Sequence, residues 1–253
     1  MAYSGTPPAR GEACVRGAWL LALLLVSVPA TTAAQPVDWA AHYRKRVEAF
    51  RAENAGLDPA RKHVVLVGDS LTEGWSAERA RRFLPAVAGR VLNRGIASDG
   101  VGVAARGVRL RLDESVFDAR PEQVVLLIGV NDVGRDGSGV EGCARRYREV
   151  VQAIRRRLPD VPLHLVTLAP ARGGYAALNP HIQALNRHVR EIAAAEGARL
   201  IDLHAALADA QGELPAELTG DGLHWNDRGY ERVGRAYSAA LAGGLSGALE
   251  TPR

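Results

Sequence analysis

The stretch HVVLVGDSLT, residues 63–72, decides the fold of this chain. A short apolar run that ends in glycine is typical of a buried strand in a parallel sheet, and open α/β sheets place their chemistry just past the carboxyl ends of such strands. Ser70 stands at that point and is a candidate nucleophile. A serine hydroxyl is a weak nucleophile alone, so the hypothesis requires a base, a carboxylate that orients the base, and donors for an oxyanion.

Strand-like and helix-like segments alternate along the rest of the chain. The strand candidates are His63–Gly68, Val91–Asn93, Gln123–Ile128, Leu163–Leu168 and Ala198–Asp202, and helical patterns fall near residues 77–84, 102–113, 140–158, 179–196 and 226–242. This alternation predicts right-handed crossovers and a parallel sheet covered on both faces. We predict one α/β domain at residues 62–243, after a helical lead-in at 35–61 and before a short tail at 244–253.

Residues 1–34 have the pattern of a secretory signal. Arg10 and Arg16 precede a short apolar block at residues 18–26, and a run of small residues ends at Ala34. A charged start, a short apolar centre and a small-residue end are typical of a segment that is cleaved during export. The block is shorter than the roughly 20 residues of a membrane span. We therefore predict a periplasmic or extracellular protein, cleaved near Ala34 and without stable membrane insertion; an N-terminally anchored form is the alternative.

Composition limits the choice of partners and cofactors. The formal net charge of +4 is too mild to indicate nucleic acid or another polyanion as a partner. Cys143 shares a helical spacing with Val140 and Tyr147, which predicts a buried side chain rather than a reactive thiol. No cluster of histidine, cysteine and acidic residues in the sequence has metal-ligand spacing, so we predict neither a metal nor another cofactor. The oligomeric state stays open.

Three further segments place polar groups at strand ends or in the last loop. Gly95 follows the second strand candidate, where a missing side chain lets a backbone N–H approach a ligand. Asn131 follows the most apolar strand, and Asp221 precedes His224 by three residues in a turn. At that spacing the carboxylate can fold back onto Nδ1 of the imidazole, which leaves Nε2 free for Ser70. Each motif is weak alone, but the order serine, glycine, asparagine, Asp/His is specific.

Together these motifs resemble the four sequence blocks of the SGNH hydrolases, also called the GDSL esterase/lipase family. The matching blocks are Gly68-Asp69-Ser70-Leu71, Asn93-Arg94-Gly95, Gly129-x-Asn131-Asp132 and Asp221-x-x-His224. The resemblance covers about residues 62–240. Around residues 93–100 and 124–131 the chain is most similar to the branch that contains the platelet-activating-factor acetylhydrolase catalytic subunits and many bacterial carbohydrate esterases.

The resemblance implies a fold and a set of catalytic roles. The fold is a flavodoxin-like three-layer α/β/α sandwich with a five-stranded parallel sheet in the order 2-1-3-4-5. Ser70 is implied as the nucleophile, His224 as base and then acid, and Asp221 as the carboxylate that orients the base. The backbone N–H groups of Ser70 and Gly95 and the side chain of Asn131 are implied as the oxyanion hole.

Other residues are candidates for contacts with the substrate. Trp75 and Trp225 flank the implied nucleophile and base, and Arg172 and Tyr175 lie in a loop past the fourth strand candidate. We expect these four side chains to line the substrate entrance; a place in the core is the equal alternative for the two tryptophans. Many relatives have a second glycine three residues after the oxyanion glycine, whereas this chain has Ser98, so the turn there can differ.

The predicted function is a serine esterase that acts on a small-molecule ester through an acyl-enzyme on Ser70. By analogy with the family, the substrate is a short-acyl ester, acetyl first, of a carbohydrate or another alcohol. A lysophospholipase or an acyl-thioesterase with the same triad is the alternative within this chemistry. A carbohydrate- or lipid-binding module on an inactive hydrolase scaffold is the alternative of another class. Asp69 is expected to accept backbone N–H bonds in its turn rather than to orient the histidine.

Overall fold

The computed structural model describes residues 37–102, 105–135 and 139–245. The predicted signal at residues 1–34, the first residues of the lead-in and most of the predicted tail lie outside the described residues. The chain divides into two units, Met1–Val37 and Asp38–Arg253, and every element described below belongs to the second unit.

Five parallel strands form the central sheet. They are β1 (Val64–Gly68), β2 (Val91–Gly95), β3 (Gln123–Leu127), β4 (Leu163–Val166) and β5 (Arg199–Ile201). Their order is β2-β1-β3-β4-β5, which confirms the flavodoxin-like order that the resemblance implied. Every residue of β1 and β3 is buried, as expected for central parallel strands that are covered on both faces. The carboxyl ends of all five strands lie at one edge of the sheet.

Helices connect and cover these strands. Within the described residues they are α1 (Trp39–Ala55), α2 (Ser70–Glu73), α3 (Ala77–Phe83), α4 (Val130–Arg135), α5 (Gly139–Arg157), α6 (Asn179–Ala195), α7 (Leu203–Leu207) and α8 (Asp227–Leu245). α5 packs against α6, and α3 and α7 pack against α8, in the predicted three-layer α/β/α arrangement. Cys143 in α5 is buried, as its spacing predicted. None of the helices in the described ranges is long and apolar enough to cross a membrane.

The segment near residues 102–113 is not the helix that its pattern predicted. Among its described residues it has only one turn of 3-10 helix, at Val108–Leu110, and a π-turn follows at Asp113–Phe117. Gly107 has a φ angle of 133°, which residues with side chains rarely adopt, and a Cβ there would lie 2.2 Å from Gly102 Cα. The chain folds back on itself at these glycines, so a continuous helix cannot form.

The predicted lead-in is largely the helix α1, which packs against the loop after β2. Its side chains Val47 and Phe50 form a small buried cluster with Ile96 of that loop. Arg46 adds a polar contact, since its Nη2 donates to the backbone carbonyl of Gly95 at 3.0 Å. The lead-in helix is therefore part of the structural support of this loop.

Arg111 ties the ends of β1 and β2 to the same loop. Its side chain is fully buried and donates to the carbonyl of Gly68 at 3.0 Å, to the carbonyl of Arg94 at 2.8 Å and to the carboxylate of Asp99 at 2.9 Å. Ser115 Oγ accepts a further bond at 2.7 Å. Buried charges are tolerated when they are paired and hydrogen-bonded, and this guanidinium meets both conditions. It fixes two neighbouring strand ends relative to each other.

Candidate active site

Ser70 is the first residue of the short helix α2, and only Asp69 separates it from the end of β1. Asp69 caps this helix, because its Oδ1 accepts the N–H of Leu71 at 3.0 Å and its backbone carbonyl accepts the N–H of Thr72 at 3.1 Å. The cap is the structural role expected for Asp69 from the sequence. The tight strand-to-helix turn presents the hydroxyl of Ser70 at the carboxyl edge of the sheet.

His224 and Asp221 lie in the loop before α8 and face this hydroxyl. Ser70 Oγ is 2.9 Å from His224 Nε2, and His224 Nδ1 is 2.7 Å from Asp221 Oδ2. The other oxygen, Asp221 Oδ1, accepts the backbone N–H groups of Leu223 and His224 at 2.9 and 2.8 Å. Because both carboxylate oxygens are engaged, the carboxylate holds the ring with Nε2 directed at Ser70. The structure thus brings together the three side chains that the sequence motifs singled out.

The charge of Asp221 follows from these contacts. Partial burial alone would raise the pKa of this carboxyl group. The hydrogen bonds from the His224 ring and from the backbone N–H groups of Leu223 and His224 favour the ionised form more strongly, and the pKa falls to about 2. The carboxylate is therefore ionised at neutral pH and can stabilise a positive charge on the imidazole.

The loop that carries His224 is closed by its own hydrogen bonds. Thr219 Oγ1 donates to the carbonyl of His224 at 2.7 Å and accepts the N–H of Gly222 at 2.9 Å. The backbone N–H of Arg172 donates to the carbonyl of Gly222 at 2.9 Å, and its side chain reaches the carbonyl of Leu214 at 3.3 Å. Arg172 thus supports the histidine loop and does not line the cavity described next, which corrects the expectation from the sequence.

A cavity of about 370 Å³ opens beside Ser70 and His224. Ala97, Ser98 and Asn131 lie on its wall, with Trp39 from α1 and Tyr175 from the loop after β4. Aspartate, glutamate, lysine and arginine are absent among the described residues that line it. The same part of the chain contains no group of three histidine, cysteine or acidic side chains that could hold a metal ion. The described part of the lining therefore offers a neutral, partly aromatic surface next to the serine and the histidine.

Gly95 does not have the place that the resemblance implied. Its N–H donates to Asn93 Oδ1 at 2.8 Å, and a Cβ on Gly95 would lie 2.0 Å from the backbone nitrogen of Glu73. The glycine is required because the backbones of β2 and α2 approach closely here. The prediction that its N–H faces an oxyanion is wrong, since that N–H is already bonded and Gly95 does not line the cavity.

Ser98, three residues further on, lies at the cavity instead. Its φ angle is 63°, in the left-handed region that costs an L-residue about 1–2 kcal/mol. The turn is closed by the N–H of Asp99, which donates to the carbonyl of Ile96 at 3.1 Å. Asn131 Nδ2 donates to the carbonyl of Asp99 at 2.8 Å and so joins this turn to α4. The sequence carried a signal for this turn. Many relatives have glycine where this chain has Ser98, and glycine is the residue that adopts a positive φ angle most readily.

The two tryptophans predicted at the entrance lie in the core. Trp75 and Trp225 are 2% and 5% exposed, and each packs edge-to-face on Tyr230, with ring centroids 5.1 and 5.4 Å apart. For both residues the core alternative is correct. Tyr175 does line the cavity, and so does Trp39, which the sequence reasoning did not select as a site residue.

Buried carboxylates stand behind the serine and the loop of Ser98. Burial raises the pKa of Asp69 to about 7 against the opposing hydrogen bond from the N–H of Leu71, and the charges of Asp99 and Asp132 add to the rise. Asp132 accepts the N–H of Val101 with its two oxygens at 3.2 and 3.0 Å. Both residues support backbone turns rather than contact the histidine.

A parallel sheet in this order, with serine, histidine and aspartate in contact at its carboxyl edge, is the plan of an SGNH-type acylhydrolase. The model of the GDSL-like lipase/acylhydrolase family matches residues 66–232, which is more than half of the chain. The chain belongs to this family. The family is one of lipases and acylhydrolases, and the resemblance noted in the sequence is confirmed.

Solved structures with the same fold come from several bacteria. A GDSL-like lipase from Bacteroides thetaiotaomicron VPI-5482 is 22% identical, with 78% of this chain and 97% of that chain covered and a TM-score of 0.68. The lipase/acylhydrolase from Enterococcus faecalis is 25% identical, with coverage of 72% and 96% and a TM-score of 0.59. An acetylxylan esterase from Geobacillus stearothermophilus is 22% identical, with coverage of 71% and 94% and a TM-score of 0.60.

Among curated proteins, an N-acylneuraminate cytidylyltransferase from Escherichia coli O18:K1:H7 (strain RS218 / NMEC) is similar to this chain. The identity is 24% over 197 residues, which are 78% of this chain and 43% of that protein. The chain thus spans less than half the length of this relative.

Proposed function

We propose that the protein is a serine esterase that forms an acyl-enzyme on Ser70 and hydrolyses short-acyl esters, acetyl first, of neutral carbohydrates or other alcohols. The observation that carries the proposal is the pair of contacts from Ser70 Oγ to His224 Nε2 and from His224 Nδ1 to Asp221, 2.9 and 2.7 Å long, beside an open cavity. A nucleophile within hydrogen-bond reach of a base, itself oriented by a third group, is the arrangement that activates a serine.

The reaction takes place in two halves. Ser70 Oγ attacks the ester carbonyl carbon while His224 Nε2 accepts the hydroxyl proton, and the imidazolium then donates that proton to the alcohol oxygen as the carbon–oxygen bond breaks. Asp221 stays ionised and stabilises the imidazolium through Nδ1–H. Water then attacks the acyl-enzyme with His224 as the base, the carboxylic acid leaves, and the proton returns to Ser70.

The negative oxygen of each tetrahedral intermediate requires hydrogen-bond donors. We assign these to the backbone N–H groups of Ser70 and Ser98 and to the side-chain amide of Asn131, because all three residues line the same cavity. The bond from Asn131 to the carbonyl of Asp99 supports this assignment, since it holds the amide against the turn of Ser98. Loss of one such donor typically costs about 2.7–4 kcal/mol of transition-state stabilisation.

The character of the cavity supports a small, neutral substrate. A volume of about 370 Å³ is near the lower end of small-molecule sites, which span roughly 300–1,000 Å³. A lysophospholipid would bring a phosphate, for which arginine is the preferred partner, and the described lining offers no cationic side chain other than His224 if protonated. The fold shared with an acetylxylan esterase supports acetyl esters by analogy. Lysophospholipase and thioesterase activity are the alternatives.

The decisive experiment compares wild type with Ser70→Ala on p-nitrophenyl esters from acetate to palmitate, on acetylated sugars and on a lysophospholipid. We expect the rate to be highest on acetate and to fall with acyl length. Ser70→Ala should lose both hydrolysis and labelling by a fluorophosphonate at an unchanged melting temperature. Full labelling of Ser70→Ala would refute the assignment of the nucleophile. A wild type that is neither labelled nor active would favour the binding module.

Export is also part of the proposal. It is supported by the charged, apolar and small-residue segments in residues 1–34, with cleavage near Ala34. The short apolar block keeps an anchored form as the alternative.

A further inference from the structure

Two aromatic side chains are exposed on the described surface, and both line the cavity beside Ser70. Trp39 is 40% exposed and Tyr175 is 37% exposed. The other large hydrophobic residues that are exposed in the described ranges are aliphatic and do not line the cavity: Val37, Leu110 and Leu200. Apolar surface left in contact with water beside polar groups is typical of a binding site. The exposed aromatic surface is thus concentrated at the candidate active site.

Trp39 is held on a rigid element that the family match does not include. It is the first residue of α1, whereas the match begins at residue 66. Asp38 caps the helix by accepting the N–H groups of Ala40 and Ala41 at 3.0 and 2.9 Å. The indole ring packs edge-on against His42, with 6.0 Å between centroids.

His42 in turn connects this ring to the catalytic side of the sheet. Its Nε2 lies 3.0 Å from Glu73 Oε2, and the same oxygen accepts the N–H of Ala97, the residue before Ser98. The indole of Trp39 thus packs on a histidine that is itself held by a carboxylate. A side chain fixed in this way loses little conformational freedom when a ligand packs on it.

Tyr175 lies on a different element, a 3-10 segment at Gly173–Leu178. Its N–H donates to the carbonyl of Arg172 at 3.0 Å, and Arg172 is bonded to the loop of His224. Asn179 holds the base of the segment by bonding both the N–H and the carbonyl of Ala171, at 2.8 and 2.9 Å. The two rings are thus presented by independent supports, one on the oxyanion side and one on the histidine side.

We propose that Trp39 and Tyr175 form a subsite for the sugar ring of the alcohol part of the ester. The inference rests on the proposed esterase function. The face of an aromatic ring is electron-rich, and it attracts the C–H groups on the face of a pyranose ring, while the sugar hydroxyls stay in contact with water. Three small residues, Gly134, Gly174 and Ala177, also line the cavity and leave space there. A flexible acyl chain would instead require an enclosed apolar channel.

The test uses two esters with the same acyl group and different alcohols. The substrates are a mono-O-acetylated methyl β-D-xylopyranoside and ethyl acetate. We expect Trp39→Ala and Tyr175→Ala each to lower kcat/KM on the sugar ester about 10-fold, mainly through KM, which is the scale of one stacking contact. On ethyl acetate, kcat/KM should change by no more than about twofold, because this substrate has no sugar ring that could stack on the aromatic side chains. Trp39→Phe and Tyr175→Phe keep a ring and should keep the preference for the sugar ester.

Leu110→Ala is the matched control, since Leu110 is 46% exposed and does not line the cavity. It should leave both substrates unaffected. An equal loss on both substrates in the alanine variants, or no loss on either, would overturn the subsite. A change in the preference between acyl chains of different length, measured with one alcohol, would also overturn the subsite. The two aromatic rings would then contact the acyl group rather than the sugar.

Binding without turnover separates this proposal from the proposed function. The Ser70→Ala variant is titrated calorimetrically with unesterified methyl β-D-xylopyranoside. The titration is then repeated with the double variant that carries both Ser70→Ala and Trp39→Ala. Saturable binding that Trp39→Ala weakens supports the subsite even if ester hydrolysis is never found. Active esterase with no binding of the glycoside and no preference for sugar esters refutes the subsite and leaves the esterase in place.

Discussion

Replacing Arg111 with methionine removes the guanidinium that joins the ends of β1 and β2. The side chain of Asp99 is fully buried and would lose its ion pair with Arg111, which is 2.9 Å long. The carbonyls of Gly68 and Arg94 would each lose a hydrogen-bond donor. Removing one partner of a buried ion pair costs about 3–5 kcal/mol. A domain of this size loses about 2–4 °C of melting temperature per kcal/mol, so Arg111→Met should lower it by about 6–20 °C.

A second variant tests the cause of that loss. Asp99→Asn removes the charge that Arg111→Met leaves unpaired, so the double variant should recover part of the lost stability. The coupling between the two sites should be about 0.5–3 kcal/mol, as for other contacting residues. Thermal unfolding followed by circular dichroism measures all three variants, and p-nitrophenyl acetate hydrolysis gives kcat. We expect kcat to fall in Arg111→Met, because the strand ends that carry Ser70 and lead to Ser98 are no longer fixed.

Arg157→Met is the matched control, since Arg157 pairs with Asp113 at the surface, where both side chains are more than half exposed. Exposed pairs contribute about 0–1 kcal/mol, so this variant should stay near the wild-type melting temperature. Strictly additive effects of Arg111→Met and Asp99→Asn, or a loss no larger than in Arg157→Met, would refute the reasoning.

Three further outcomes are expected. Asp221→Asn should lower kcat by up to about 10⁴-fold at a nearly unchanged melting temperature, because the amide favours the wrong tautomer of His224; kcat near wild type would reject the orienting role. Burial raises the pKa of Asp69 to about 7 from 3.8, so its favourable contribution to stability is complete below about pH 4 and is lost as the pH rises to about 7. An asparagine at this position cannot ionise, so the melting temperature of Asp69→Asn should decline less than that of wild type between pH 5 and 8. Parallel curves for the two proteins would contradict the titration of a buried carboxyl group at Asp69. N-terminal sequencing of protein from the native host should begin at or near Gln35, and a soluble cytosolic product that starts at Met1 would rule out export.

The strands and the polar side chains at their carboxyl ends could be predicted because they depend on local patterns, whereas the strand order came only from the family resemblance. Apolar runs that end in polar residues located the carboxyl edge, and a spacing of three residues was enough for Asp221 to reach His224. The pattern near residues 102–113 also reported burial correctly, since Val108 and Leu112 are buried. The segment nevertheless does not form a continuous helix, because the φ angle of Gly107 is incompatible with a helical backbone.

The remaining errors concern which surface a residue meets. A glycine after a strand can admit a ligand or a second backbone, and only the packing of α2 on β2 shows that Gly95 does the latter. Trp75 and Trp225 are covered by Tyr230 from α8, which is distant in sequence from Trp75. Trp39 fits an amphipathic helix pattern, and its place at the cavity follows from how α1 docks. Such tertiary contacts have no signature in a short window of sequence.

The way in which α1 is attached has a consequence for the shortest chain that can fold. The guanidinium carbons of Arg46, Arg94 and Arg111 lie 4.9, 4.8 and 5.8 Å from the ring of Phe50 on α1. Arg94 is fully buried, and α1 supplies its acidic partner, Glu53. A chain begun at the first family-matched residue would leave this cation without that carboxylate and would uncover the apolar surface beneath the helix. After limited proteolysis of the exposed junction between α1 and β1, α1 should therefore stay bound to the rest of the domain. The folding unit is longer than the segment by which its family is recognised.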